Sequence, residues 1–171
     1  MKQKILLSIV TAIVMLPAAN AQVERGTVTV SSTFWGSGTG LSINIVPETD
    51  KQTASTQATF GADGAFYIVR NFALTAGLYL NSSKYGSSDP VTSTVAAFGA
   101  KYHFVGGFYG ELAYYNSKSG KNDAVTYGML ELGYDIYLNE RFYLEPAGYY
   151  RMGLNDSVSR LGVMLGFGVA F

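Results

Sequence analysis

The sequence predicts an all-β protein, an eight-stranded antiparallel up-and-down β-barrel that spans a membrane. Three observations predict it. The chain ends on RLGVMLGFGVAF, residues 160–171, where Leu161, Val163, Leu165, Phe167, Val169 and Phe171 alternate with Gly162, Met164, Gly166, Gly168 and Ala170. That is the period-two pattern of a strand with two unlike faces. Charged residues make up only 14% of the chain and hydrophobic ones 48%, whereas a soluble domain carries roughly 25% charge. Finally, no stretch after residue 21 is continuously apolar for the ~20 residues that a membrane helix needs. The apolar surface must therefore come from alternating strands.

The first element is a targeting segment. Met1–Lys4 carries two lysines, Ile5–Leu16 is an apolar run, and Pro17 precedes Ala19-Asn20-Ala21. A basic start, a short apolar core and a small-x-small site predict a cleaved signal peptide over residues 1–21, with the barrel domain over 22–171. Without Lys2 and Lys4, ten basic residues face twelve acidic ones. That balance offers no cationic field for nucleic acid. The chain has no Cys, so neither a disulfide nor a thioether lipid anchor is expected.

Eight strands are predicted next, over 26–35, 56–69, 72–81, 92–104, 108–117, 124–138, 142–152 and 158–171. Two kinds of connection alternate between them. Residues 36–55, 82–91, 118–123 and 153–157 are rich in Gly, Ser, Thr, Asn and Asp. The others are tight: Val69-Arg70-Asn71 before Phe72, Val105-Gly106-Gly107 before Phe108, and Asn139-Glu140-Arg141 before Phe142. Three-residue hairpin loops are common, and an odd loop keeps the residues on either side on one face.

Parity then separates the faces. Even positions of the first seven strands, with odd positions of the last, collect all ten Phe and most Leu. The opposite face collects Asp63, Lys101, Glu111, Glu131, Asp135, Glu145, Arg151 and Arg160. It also takes Tyr67, Tyr79, Tyr109, Tyr115, Tyr127, Tyr137, Tyr143 and Tyr149, with many Gly. Phe and Tyr differ by one hydroxyl, so sorting them by face implies one side without hydrogen-bond partners and one with many. A soluble barrel would have to fit ten Phe inside an eight-strand interior that side chains already fill. A membrane barrel places them on lipid and fills its lumen with the polar set. The last strand then pairs with the first, so that no backbone group is left unpaired in lipid.

The signal peptide, the three Phe-marked turns and the terminal LGFGVAF resemble those of small eight-stranded bacterial outer-membrane β-barrels. These are the OmpX, OmpA-transmembrane-domain and opacity-protein types, with the porin-family outer-membrane barrel domain. The resemblance covers about Gly26 to Phe171. It implies an outer-membrane location, with termini and tight turns in the periplasm and the longer loops outside. It also implies that the barrel assembly machinery reads Phe167, Val169 and Phe171. No peptidoglycan-binding domain is expected after Phe171. Architecture does not settle activity.

Candidate chemistry is sparse. The one His, His103, falls beside a tight turn, whereas the Ser-rich loops fall at the far end of a wall about 25 Å tall. A nucleophile and its base need hydrogen-bond reach, so no catalytic group, enzyme activity or cofactor is expected. A lone His also argues against a metal site. The charge set from Asp63 to Arg160 is expected to plug the lumen, giving a structural or cell-surface interaction role. The alternative is a narrow gated conduit for ions or small solutes. The turn Val105–Gly107 places Lys101 opposite Glu111, and an ion pair is expected there. Phe72, Phe104, Phe108, Phe142 and Phe171 are expected to form a lipid-facing girdle, and Trp35 to join the aromatics of the other rim. The expected partners are outer-membrane lipids, the assembly machinery and an extracellular ligand on loops 36–55 and 82–91. The protein is expected to be a monomer.

Overall fold

The computed structural model describes residues 23–35, 40–46, 53–119, 124–155 and 159–171. The predicted signal peptide lies outside the described residues, as do residues 36–39 and 47–52 of loop 36–55 and residues 120–123 and 156–158. Among the described residues there are ten strands: β1 (Val28–Trp35), β2 (Ser42–Val46), β3 (Ser55–Val69), β4 (Phe72–Tyr85), β5 (Val91–His103), β6 (Phe108–Ser119), β7 (Val125–Tyr134), β8 (Ile136–Tyr137), β9 (Phe142–Gly153) and β10 (Arg160–Ala170). All pairings are antiparallel, and β1 pairs with both β10 and β3. The sheet is a closed barrel of eight walls.

Two departures from the expected eight strands explain the count of ten. Ser42–Val46 falls in a segment read as loop, because Gly, Ser and Thr dominate its surroundings. Its SINIV core is instead a strand that pairs with Ser55–Thr59 of β3. β1 covers β3 only from Asp63 to Phe66, and β2 covers the same edge further on. The predicted strand 124–138 is interrupted at Asp135, whose N–H donates to Gly107 O at 2.9 Å across the turn end. Its neighbour Tyr134 stands in register with Pro146, which has no N–H to give to a ladder. The register is unchanged across the break, since β7 and β8 continue one alignment against β9.

The tight turns set the registers as expected. Tyr67 pairs with Ala73, His103 with Tyr109 and Tyr137 with Tyr143. The first turn differs in detail. Val69 pairs with Phe72, leaving Ile68 as a bulge, and Asn71 takes φ +66° in a two-residue turn. Asn tolerates that left-handed conformation better than most residues. β4 runs to Tyr85, past the predicted end at residue 81. Closure is direct: Val28 N donates to Phe171 O at 3.2 Å, and Phe171 N donates to Val28 O at 2.8 Å.

The faces are inverted relative to a soluble protein. Nine of the ten Phe are exposed on the outer wall and Phe72 is half-buried. Tyr67, Tyr79, Tyr109 and Tyr143 are each 1% exposed inside, among buried Lys101, Glu131, Asp135 and Glu145. The parity change in β10 is present, with Met164, Gly166 and Gly168 inside and Phe167 outside. Inward tyrosines lie over inward glycines of the next strand: Tyr79 over Gly61, Tyr109 over Gly133, Tyr149 over Gly162 and Tyr143 over Gly168. A Cβ at any of the four would strike the ring, so the missing side chains are what lets large rings lie flat in a narrow barrel.

The turn end is closed by a short segment that the sequence reading did not single out. Val23 is buried against Ala65, Tyr67 and Ala73. Its carbonyl accepts from Asn71 N at 3.0 Å, and Gly26 N donates to Tyr67 O at 2.8 Å.

Candidate functional site

The lumenal polar set is built around Lys101 of β5. Its neighbour across the sheet is Glu111 of β6, as the turn predicts. The expected ion pair between them is absent. The Lys101 ammonium bonds instead to Glu145 of β9 and lies 3.8 Å from Asp135 and 3.7 Å above the Tyr109 ring. The cause is shape. A long side chain pointing into a narrow barrel reaches towards its axis and meets the far walls before it can bend back to its neighbour. Glu111 accepts from Thr75 Oγ1 at 2.8 Å. On its other side it stands directly opposite Glu131, so register brings like charges together.

The remaining charges are held by hydroxyls and rings. Asp63 accepts from Tyr79, and Glu131 from Tyr109. Arg151 lies 4.6 Å over the Tyr127 ring. Tyr127 stacks on Tyr115 at 4.8 Å, and Tyr115 on Tyr79 at 6.1 Å. Arg160 is a correction to the expected network. It has lumenal parity but stands opposite Arg151 at the rim and is exposed, where water screens the like charge better than a partner inside could.

His103 sits at the turn end, as expected, and is 2% exposed. Its Nδ1 lies 3.3 Å from the Tyr67 hydroxyl and its Nε2 2.9 Å from Asp135. With Lys101, this makes a continuous chain from Tyr67 through His103 and Asp135 to Glu145. The sequence reading missed the Tyr67–His103–Asp135 link. Its signal was present: all three have lumenal parity, and each lies within a few residues of a tight turn. Among the described residues, no group of three His, Cys, Asp or Glu side chains is placed to hold a metal.

Between these groups is a cavity of about 30 Å³ lined by Asp63, Glu111, Glu131 and Glu145 with Thr33 and Met164. A water needs at least ~10–15 Å³ of such space, so the cavity has room for one or two. Desolvated charge is costly unless paired and hydrogen-bonded. The structure meets this with one ammonium shared by two carboxylates and a hydroxyl for each of the other three acids.

On the outer wall the aromatics cluster near the turns. Tyr102 meets Phe104 edge-on at 5.3 Å, Phe108 meets Tyr134 edge-on at 4.6 Å, and Phe142 stacks on Phe167 at 5.8 Å. Phe171 is 73% exposed and Phe72 half-buried. Val169 stands opposite Phe142 in the ladder. Trp35 is exposed at the opposite end.

An apolar exterior, a polar interior and a closed antiparallel sheet define the class: a small outer-membrane-type β-barrel. Solved structures with a similar arrangement include OmpT (in-vitro folded), an outer membrane protein of Vibrio cholerae in trimer form. It is 13% identical over 88% of this chain and 53% of that one, with a TM-score of 0.39. Outer-membrane expressed OmpT of Vibrio cholerae is 11% identical over 75% of this chain and 46% of that one, at 0.37. This chain spans about half the length of those proteins. No family model matches it, and no curated protein matches it.

Proposed function

We propose that the protein is an integral outer-membrane barrel with a plugged lumen, whose role is structural or lies in cell-surface interaction rather than in transport or catalysis. The observation that carries this reading is the closed interior. Four inward tyrosines and His103 are at most 2% exposed, and the mid-lumen space holds about 30 Å³. Aqueous channels need 16–18 strands. Val23 and its backbone bonds add a second closure at the turn end. His103 has both ring nitrogens engaged, which speaks against an accessible base and hence against an enzyme.

In this reading the signal peptide directs secretion, and Phe167, Val169 and Phe171 serve assembly. The girdle Phe72, Phe104, Phe108, Phe142 and Phe171 sets vertical position in the bilayer. The loops beyond β1 and β4 face outside and carry any extracellular contact. Planar-bilayer recording of the purified protein tests the plug. Silence is expected. Regular openings whose size follows salt concentration would overturn it in favour of the narrow gated conduit.

A further inference from the structure

Among the described residues, the outer wall carries charge in one panel, which the lumen does not explain. Among the described residues, the charged side chains at outward strand positions are two, Lys84 of β4 and Lys118 of β6, and both are exposed. Every other charged strand residue has lumenal parity. The two lysines flank β5 at the end of the barrel away from the tight turns. Among the described residues, neither meets a carboxylate.

The same panel holds a recess of about 490 Å³ in the apolar wall. Phe60 and Phe98 stand as posts on either side, and Ala62, Ala76 and Leu78 line the space between them. The two lysines are placed alike relative to these posts. Phe60 pairs with Leu80, four residues before Lys84. Phe98 pairs with Tyr114, four residues before Lys118. Four residues of strand are about 13 Å, and tilting shortens that to roughly 10 Å along the membrane normal. Half of the hydrocarbon thickness is ~15 Å. The recess therefore lies at acyl-chain depth, and the lysines reach headgroup level above it, their stems lying along the apolar wall.

We propose that this panel of β3, β4, β5 and β6 is a binding site for an outer-leaflet lipid with net negative charge, one whose headgroup phosphate is not neutralised by a cation of its own. The proposal rests on the barrel reading above and adds a preferred lipid to it. An acyl chain fills the recess between Phe60 and Phe98, and Lys84 and Lys118 hold the headgroup phosphate. The apolar floor supplies surface for any chain, and the lysines supply the choice of headgroup. A Lys near an anionic membrane surface contributes about 1 kcal/mol, which is roughly fivefold in affinity per lysine.

The test folds the full mature chain into phosphatidylcholine vesicles carrying a trace of spin-labelled phosphatidic acid or spin-labelled phosphatidylcholine. The fraction of label immobilised on the protein gives the relative affinity. Phosphatidic acid is expected to be preferred by about fivefold or more. Lys84→Gln with Lys118→Gln should bring the preference close to one. Ala62→Leu with Ala76→Leu, which fills the recess from the lipid side, should lower immobilisation of both labels while leaving the preference for phosphatidic acid. Equal immobilisation of the two lipids by the natural protein overturns the proposal, as does a preference that survives loss of both lysines. Unboiled and boiled samples run on a gel separate this failure from that of the barrel reading. A folded, heat-sensitive band without preference sinks the lipid site alone. A band that never shifts on heating sinks both.

Discussion

Lys101 stands directly across the sheet from Glu111 and gives its ammonium to Glu145, three walls away. For Lys101 the nearest neighbour in the ladder is thus not the partner in the lumen. Replacing Glu145 with Gln should destabilise the barrel by about 3–5 kcal/mol, because it leaves Lys101 buried with Asp135 alone at 3.8 Å. Lys101→Met should cost a similar amount. The double change should cost clearly less than the sum. Glu111→Gln with Lys101→Met should come close to additive. Double-mutant cycles on urea unfolding in lipid vesicles measure both couplings. A larger coupling to Glu111 than to Glu145 would falsify the assignment.

The contrast shows what the sequence could and could not convey. Parity placed Lys101, Glu111 and Glu145 on one face, and the turn Val105–Gly107 aligned the first two. Both are local properties, set by the two-residue period and by loop length. The choice of Glu145 depends on how wide the closed barrel is and how far a lysine reaches across it, and no local pattern encodes either. The same limit hid the Val23 closure, which is a contact between the chain's start and the first turn. It also hid β2, whose five residues become a strand because β1 leaves part of the β3 edge uncovered. Asp135 was legible as a lumenal charge. Its break in the strand was not, because Pro146 of β9 and Gly107 of the turn between β5 and β6 act on it from distant parts of the sequence.

Glycines under tyrosine rings should respond differently from glycines in open space. Gly168 lies beneath the Tyr143 ring, and Tyr143 is 1% exposed, so neither can yield. Gly168→Ala is expected to destabilise by about 1–3 kcal/mol through overpacking. At Gly64 a Cβ would meet nothing closer than 3.9 Å. Gly64→Ala should be neutral or should stabilise by roughly 0.5–1 kcal/mol, since Gly in a strand interior is entropically poor. Opposite signs in vesicle unfolding are the expected result. Equal losses at both positions would show that strand entropy or lipid contact, not the ring, decides.

The closure by Val23 should be separable from the barrel. Its side chain packs on Ala65, Tyr67 and Ala73, and its carbonyl receives the Asn71 N–H. Deleting residues 22–25 removes both contacts but no strand. Heat-modified gel migration should remain, while hydrogen exchange at the Asn71 amide should rise by tenfold or more. Protection at Leu80 and Phe98 should not change. An Asn71 amide that stays protected after the deletion would mean that another group takes over that carbonyl's place.

Phe171 joins two roles that one substitution can distinguish. Its backbone closes the barrel through two hydrogen bonds to Val28, and its side chain is 73% exposed on the outer wall. Phe171→Ala keeps the backbone bonds and removes one lipid contact, so the folded barrel should lose no more than about 1–3 kcal/mol. If assembly factors read the side chain, abundance in the outer membrane should fall far more than that loss explains, with unfolded protein accumulating in the periplasm. Phe171→Tyr keeps the ring and should restore abundance. The two measurements are vesicle unfolding of the purified variant and its level in isolated outer membranes. Normal abundance of Phe171→Ala would refute the assembly role while leaving the closure between β1 and β10 intact. A stability loss large enough to explain the missing protein would instead place the effect in the barrel itself.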